Sequence, residues 1–404
     1  MNESNVPALR FAEFNEDWDR EQLGDIAQFS KGKGISKADI VSDGKIECIR
    51  YGELYTRYCE TIKEISSRTD LPVKDLVLSE SNDIIIPASG ESEIDIATAS
   101  CLLKGGVALS GDINIIKTKN NGVFLAYYLN NRKKKDIASL AQGVSVVHLY
   151  SSQLKTLGVS LPSLPEQQKI ASFLTAIDAK VELLTKKKAL LEQYKKGAMQ
   201  QLFSQQVRFK DENGNDFSDW EEKTLGEVGQ RFLNGGTPST SNIEFWEGSI
   251  PWITGADFLN QEVGNIRRFI TQKAVSNSST NVVQKGWLLL VTRTGVGKMA
   301  IAPYDVAISQ DITGIQLKES VLTEYLFHYL SFKQQDLINQ NQGTSINGIK
   351  RNDLLNIKIQ IPRISEQKKI ATFISSVDEK SNALGKEIEL KKIFKKGLLQ
   401  QLFV

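Results

Sequence analysis

The sequence predicts an α+β chain: two mixed α/β units in pseudo-twofold repeat, separated by two long helices that pair as an antiparallel coiled coil. Three observations lead there. Residues 166–203 match residues 366–403 at a constant offset of 200, with 18 of 38 positions identical, so the molecule is built as two halves. Both copies repeat apolar residues with heptad spacing. The stretches before each copy alternate strand-like runs with glycine-bearing loops.

The elements follow in order. The first unit is expected over 1–164. Trp18 and Leu23-Gly24 open it, Asp83-Ile84-Ile85-Ile86-Pro87 and Ile113-Asn114-Ile115-Ile116 read as buried strands, and 123–130 reads as a short amphipathic helix. The first long helix is expected over 165–205. Ser163-x-x-Glu166 has capping-box spacing, Pro165 sits in the first turn, and Ile170, Leu174, Ile177, Val181, Leu184 and Leu191 form an a/d seam. The second unit, over 206–364, repeats the signposts with Trp220, Leu225-Gly226, strands at 286–291 and 312–317, and a helix at 322–331. The second long helix, over 365–404, keeps Ile370, Ile374, Val377, Leu384, Ile388 and Leu398 in phase, interrupted by Ser381 and Lys391.

Bulk composition bounds the function. A chain of 404 residues exceeds one ordinary core. With 40% hydrophobic and 24% charged residues it is globular rather than disordered. No apolar run reaches membrane-spanning length, and Met1-Asn2-Glu3-Ser4 has neither the basic nor the apolar region of a signal peptide. Three cysteines (Cys48, Cys59 and Cys101) without C-x-x-C spacing point to reduced thiols and a cytoplasmic protein. Net charge is +2 but unevenly spread: residues 1–165 carry 19 Lys+Arg against 22 Asp+Glu, residues 204–365 carry 16 against 17, and each repeat segment is net +3. A nucleic acid would therefore have to meet a locally basic face of either unit.

Catalytic patterns are missing. His148 and His328 fall in different halves and make no metal or triad constellation. Gly295-Val296-Gly297-Lys298 lacks the upstream glycine of a phosphate loop, and Met299 stands where Ser or Thr should follow. No strand-borne G-x-G-x-x-G, no H-E-x-x-H and no N/D-P-P-Y/F tetrapeptide occurs. The chain is expected to be no enzyme by itself and to hold no cofactor or metal.

Two full sets of motifs resemble the DNA-specificity subunits of type I restriction–modification systems. They are P-x-x-x-E-Q-x-K-I-A-x-F at 162–173 and 362–373, K-K-G-x-x-Q-Q-L-F at 195–203 and 395–403, and the Trp18/Leu23-Gly24 and Trp220/Leu225-Gly226 openings. Ile250-Pro251-Trp252-Ile253 and Thr292-Arg293-Thr294-Gly295-x-Gly297-Lys298 fit the recognition segments of that family. The resemblance implies two target-recognition domains, each reading one half of a bipartite double-stranded DNA site. The helices would set the unspecific spacer and dock two modification subunits. At 1.5 Å per residue, 38 residues make a rod of roughly 57 Å, longer than one duplex turn of about 34 Å. It also implies that the chemistry lies on partners: S-adenosylmethionine on two adenine-methylating modification subunits, and ATP and Mg on two restriction subunits. The alternative from another class is a coiled-coil scaffold presenting two protein-binding domains without DNA recognition.

Candidate contact residues follow from what can hold phosphates or read base edges. In the second unit Arg293, Thr294 and Lys298 lie in a glycine-bearing loop directly after an apolar strand. Thr344, Ser345 and Asn347 follow Gly343, with Lys350 and Arg351 one turn on. In the first unit the repeated Q-G-x-S supplies Ser145, with His148 beyond it. Lys31 and Lys33 flank Gly32, and Arg50-Tyr51 follows a short strand. The same residues fit solvated turns, Tyr51 equally fits a half-buried core position, and Trp252 reads as core. Arg132 to Lys135, the densest basic run, reads as a solvated helix end. Opposite Thr292-Arg293-Thr294-Gly295, the first half offers Pro87-Ala88-Ser89-Gly90 and no arginine.

Overall fold

The computed structural model describes residues 5–259, 261–339 and 348–404, and the chain divides into two compact units. The first holds the chain up to Lys186 together with Gly385–Val404, and the second holds Lys187–Leu384. Each long helix, Leu164–Phe203 and Ile364–Gln401, thus lends one half to each unit.

In the first unit a five-stranded sheet runs Ala27–Lys31, Ile113–Thr118, Ile84–Pro87, Ser100–Leu102, Thr61–Ile62, antiparallel except for the last pair. Its central strand is a continuous apolar run because both faces are covered. Ile84 and Ile86 point into one core and Ile85 into another, as the two-residue period of a strand requires. A smaller sheet of Ser67–Thr69, Ile46–Ile49 and Ala108–Leu109 lies beside it. The expected helix runs Gly122–Asn131, capped by the Asn121 side chain accepting from the Phe124 N–H.

The second unit repeats this plan. Gly229–Asn234, Ile312–Leu317, Leu288–Val291 and Met299–Ile301 form one sheet. Leu288 and Leu290 face one core while Leu289 and Val291 face the other. The second sheet is Phe269–Ile270, Ile250–Ile253, Val306–Ile308 and Asn281–Val283. The helix is Thr323–Phe332, and Trp252 is core as expected, 3% exposed.

Within each unit the two half-helices run antiparallel. In the first, Ile170, Ala171 and Leu174 share a core with Leu398, Leu402 and Phe403, while Asp178 meets Lys395 at 2.7 Å. In the second, Met199, Leu202 and Phe203 share a core with Ile370, Ala371 and Ile374. There Lys195 meets Asp378 at 2.6 Å, and the Ser381 hydroxyl donates to Glu192 at 3.3 Å. The polar seam interruption at Ser381 is therefore partnered. Each closing Q-Q-L-F motif anchors a unit through its last aromatic ring. Phe403 packs edge-on against Phe124 and Tyr128 at 5.7 and 5.8 Å, and Phe203 against Tyr325 and Tyr329 at 6.0 and 5.4 Å.

The E-Q of the repeated opening also has a physical role. Gln167 accepts from the Asn121 N–H and donates to the Pro162 carbonyl and the Asn120 side chain; Gln367 accepts from the Leu322 N–H and donates to the carbonyls of Pro362 and Ser320. Each glutamine ties a helix start to the neighbouring short helix. Glu166 differs from its capping-box reading, because both its oxygens accept from Arg10, at 2.8 and 2.7 Å. Glu366 accepts from Arg208 in the same way, at 3.1 and 2.8 Å. These bidentate contacts hold both arginines above their usual range. Arg10-Phe11 and Arg208-Phe209 recur 198 residues apart, a signal outside the constant 200-residue offset.

One pair of equivalent positions has diverged. In the first unit the Tyr127 hydroxyl donates to Asp178, and Lys395 lies 5.0 Å from the centre of the tyrosine ring. In the second, His328 takes this place, 3% exposed, with Nε2 3.2 Å from the Ser375 hydroxyl. Burial, helped by the Lys195 charge, pulls His328 down to about 4, so it is neutral at neutral pH.

Candidate nucleic-acid interface

In the first unit, backbone contacts bring the expected cations to one end of the sheets. Lys31 ends its strand opposite Asn114. The Gly32 N–H donates to Ile113 and the Lys33 N–H to Leu109. A Cβ on Gly32 would lie 2.1 Å from the Ser110 carbonyl oxygen, so glycine is what lets this loop close on its neighbour. The Ser110 N–H donates to Ile49, which places Arg50 at the same end. Arg50 precedes the helix Tyr51–Thr56, and its N–H is accepted by buried Glu53 at 2.8 Å. The Arg50 Nε has no hydrogen-bond partner among the described residues. Tyr51 is half-buried against the Ile49 cluster, as its core reading allows.

The hairpin 142–148 completes this end. Gln142 and His148 exchange backbone hydrogen bonds at 2.9 and 2.8 Å, and Val147–His148 pairs with Ser89–Gly90. Ser145 is exposed, and His148 stacks on Tyr150 at 6.2 Å. Asn114, fully buried, fastens the hairpin base by donating to the Leu149 carbonyl at 2.9 Å. Sequence reading saw Asn114 as an ordinary strand residue; a polar side chain inside an apolar strand was the available signal.

The second unit uses the same scaffold. Thr292 N–H donates to Asp311 where Ala88 donates to Asp112, and Ile349 donates to Thr292 where Leu149 donates to Ala88. Gly235 and Ser309 donate to Ile312 and Ile253, as Gly32 and Ser110 do to Ile113 and Ile49. Gly236 donates to Ile308, matching Lys33 to Leu109. These bonds correct the expected alignment by one residue. Ala88 is the counterpart of Thr292, so Arg293 stands opposite buried Ser89 rather than Ala88.

Arg293, Lys350 and Arg351 line one cleft of about 480 Å³, with Asn234, Gln310 and Thr313 on its walls. The Thr313 hydroxyl donates to the Asn234 side chain at 3.3 Å. Thr294 is exposed in the adjoining loop, where Gly295 and Gly297 hold φ of +92° and +88°. Lys298 donates to the Gly255 carbonyl at 3.2 Å, which ties this loop down. Thr344, Ser345 and Asn347 lie outside the described residues. The structure therefore joins Arg293 with Lys350 and Arg351, and Lys31, Lys33 and Arg50 with Ser145 and His148.

The arrangement of cations and hydrogen-bonding side chains suits an anionic ligand. Among the described residues no group of three His, Cys, Asp or Glu side chains is placed to hold a metal ion. No helix among them is long and apolar enough to cross a membrane. Two like-folded units, each with cations and amide side chains at the same loop end, define a tandem nucleic-acid-recognition protein. The sequence model described as the type I restriction modification DNA specificity domain matches residues 15–193 and 217–392, and the chain belongs to this family. It is a specificity subunit with two target-recognition domains.

A relative in Methanocaldococcus jannaschii, named provisionally as the MjaX type I restriction enzyme specificity subunit, is 29% identical over 99% of this chain and 96% of its own length. The EcoR124I/EcoR124II specificity subunit of Escherichia coli is 33% identical over 42% of this chain and 44% of its own. The crystal structure of an S subunit from M. genitalium superposes with a TM-score of 0.65, covering 99% of both chains at 18% identity, which shows a shared fold.

Proposed function

We propose that each unit reads one half of a bipartite double-stranded site through the loop end described above. The paired helices set the spacer and dock two modification subunits. The observation that carries this reading is the contrast at the loop end: the backbone hydrogen bonds are the same in both units, and the side chains they present differ. Lys31, Lys33 and Arg50 answer to Asn234, Gly236 and Thr254; Ser89, Tyr150 and Ser151 answer to Arg293, Lys350 and Arg351. A scaffold kept constant under changing polar side chains is what two readers of different sequences need. The helices show the opposite pattern, with equivalent ion pairs Asp178–Lys395 and Asp378–Lys195. Equivalent surfaces suit identical partners.

The methyl donor S-adenosylmethionine would sit on the modification subunits, and ATP and Mg on two restriction subunits that join them in the cytoplasm. Replacing residues 1–164 with the matching segment of another family member tests the division of labour. Mapping of methylated adenines should show one half-site changed and the other kept; a change in both, or in neither, overturns it.

A further inference from the structure

We propose that the hairpin 142–148 reads thymine through its C5-methyl group in the major groove, with Val144 and Val146 as the reading side chains. The proposal rests on the first unit being a DNA reader and names what part of its site this hairpin takes. Val144 is 97% exposed and Val146 53%. Single exposed valines are ordinary surface, but these two cap a hairpin that is locked from three sides. Gln142 and His148 close it by reciprocal backbone bonds. Gly143 turns at φ +128°, where a Cβ would lie 2.1 Å from the Val146 carbonyl oxygen. Buried Asn114 fastens its base through Leu149.

The surroundings identify the occupant. Lys31 faces Asn114 across the ladder, and Lys33 and Arg50 lie at the same sheet end. Cations of this kind hold phosphates and fix how the protein lies on the duplex. A narrow hairpin tip at the same sheet end, closed by the Gln142–His148 bridge, is of a size to enter the major groove. There, adenine, guanine and cytosine present donors and acceptors alone, which a valine would leave unpaired at a cost, whereas thymine sets a methyl group beside its O4 acceptor. Thymine alone among the four bases presents a methyl group. Ser145, between the two valines, adds a hydroxyl for a neighbouring polar edge.

The test uses the complete complex with its modification subunits and the half-site assigned to the first unit by domain exchange. Each thymine of that half-site is replaced, one at a time, by deoxyuridine, which lacks only the methyl group. At one or two positions binding should weaken roughly fourfold for each methyl group removed. In the double variant Val144→Ser, Val146→Ser, thymine and uracil should bind alike, while the remaining base preferences of the same half-site are kept, which shows that the first unit is still folded and docked. Equal binding of thymine and uracil by the wild type at every position, a half-site without thymine, or a preference that survives in the variant overturns the proposal. A first unit with no base preference of any kind overturns the DNA-reading assignment as well.

Discussion

The two units place their charges at different positions of one shared loop end. In the first, the cations stand on the Lys31–Lys33 loop and at Arg50, and the remaining positions are Ser89, Tyr150 and Ser151. In the second, the Lys31–Lys33 and Arg50 positions are Asn234, Gly236 and Thr254, and the cations have moved to Arg293, Lys350 and Arg351. The comparison teaches that backbone hydrogen bonds fix where a side chain can be presented, while the choice of side chain stays free. Side chains can then change at a loop end without cost to the sheets beneath it.

The largest expected effect breaks the comparison at the base of the units. Glu366 is fully buried and accepts from both Arg208 and the Trp220 indole N–H, the latter at 3.1 Å. Glu166 accepts from Arg10, but the Trp18 indole N–H has no partner among the described residues. Glu366→Ala should destabilise its unit by about 3–5 kcal/mol, since it strands an arginine and an indole. Glu166→Ala should cost less, by about 1.5–3 kcal/mol, the worth of a hydrogen bond to a charged group. Hydrogen exchange of Thr323–Phe332 and Gly122–Asn131 in the two variants measures the difference; equal losses would show that the tryptophan bond contributes nothing.

Acidification should separate the units next. His328 titrates near 4 when folded and near its ordinary 6.5 when unfolded. Between these values the unfolded chain binds the extra proton, so this contribution is intact above pH 6.5 and is lost as pH falls to about 4. The full loss is about 3 kcal/mol for a group this buried. Tyr127, at the equivalent place, stays protonated because burial and the Asp178 carboxylate raise it, and it contributes no such slope. Hydrogen exchange of Thr323–Phe332 should therefore weaken in protection below about pH 6 in the wild type and less so in His328→Gln. An unchanged pH profile in that variant would place the sensitivity elsewhere.

At the reading end, Arg293→Ala should lower affinity for the cognate site by about 1–3 kcal/mol and relax one half-site. Competition binding against duplexes varied in each half-site checks this. Uniform weakening over all sequences would make Arg293 a phosphate contact instead.

Much of this architecture was legible in the sequence, because heptads, two-residue alternation and a long repeat all report on burial. Ile84–Pro87 and Leu288–Val291 came out as buried strands for that reason. Arg10 and Arg208 were missed because their role depends on a glutamate more than 150 residues away, a distance no local pattern encodes. The alignment of Arg293 was one residue off because sequence offset drifts between the halves, from 198 at Arg208 to 202 at Trp220. Hydrogen-bond register settles that, and register is a property of paired strands. The candidate cations were nameable one by one; which of them meet at one end required the ladder.

Lys31 and Lys33 carry the smallest effect, and it tests the comparison most directly. If they hold phosphates, replacing either with Ala should weaken binding to cognate and unrelated duplexes alike. The slope of log affinity against log salt should also fall by about one per lysine removed. Asn234 and Gly236 occupy the same backbone positions in the second unit without charge, so Asn234→Lys should raise the slope by a similar amount if the scaffold alone decides where phosphates lie. A fall for Lys31→Ala without a rise for Asn234→Lys would mean that each unit meets the duplex at its own angle. The cations would then have moved because the DNA path moved. In that case the shared backbone bonds fix the loops but not the docking, and the two readers would differ in pose as well as in the bases they select.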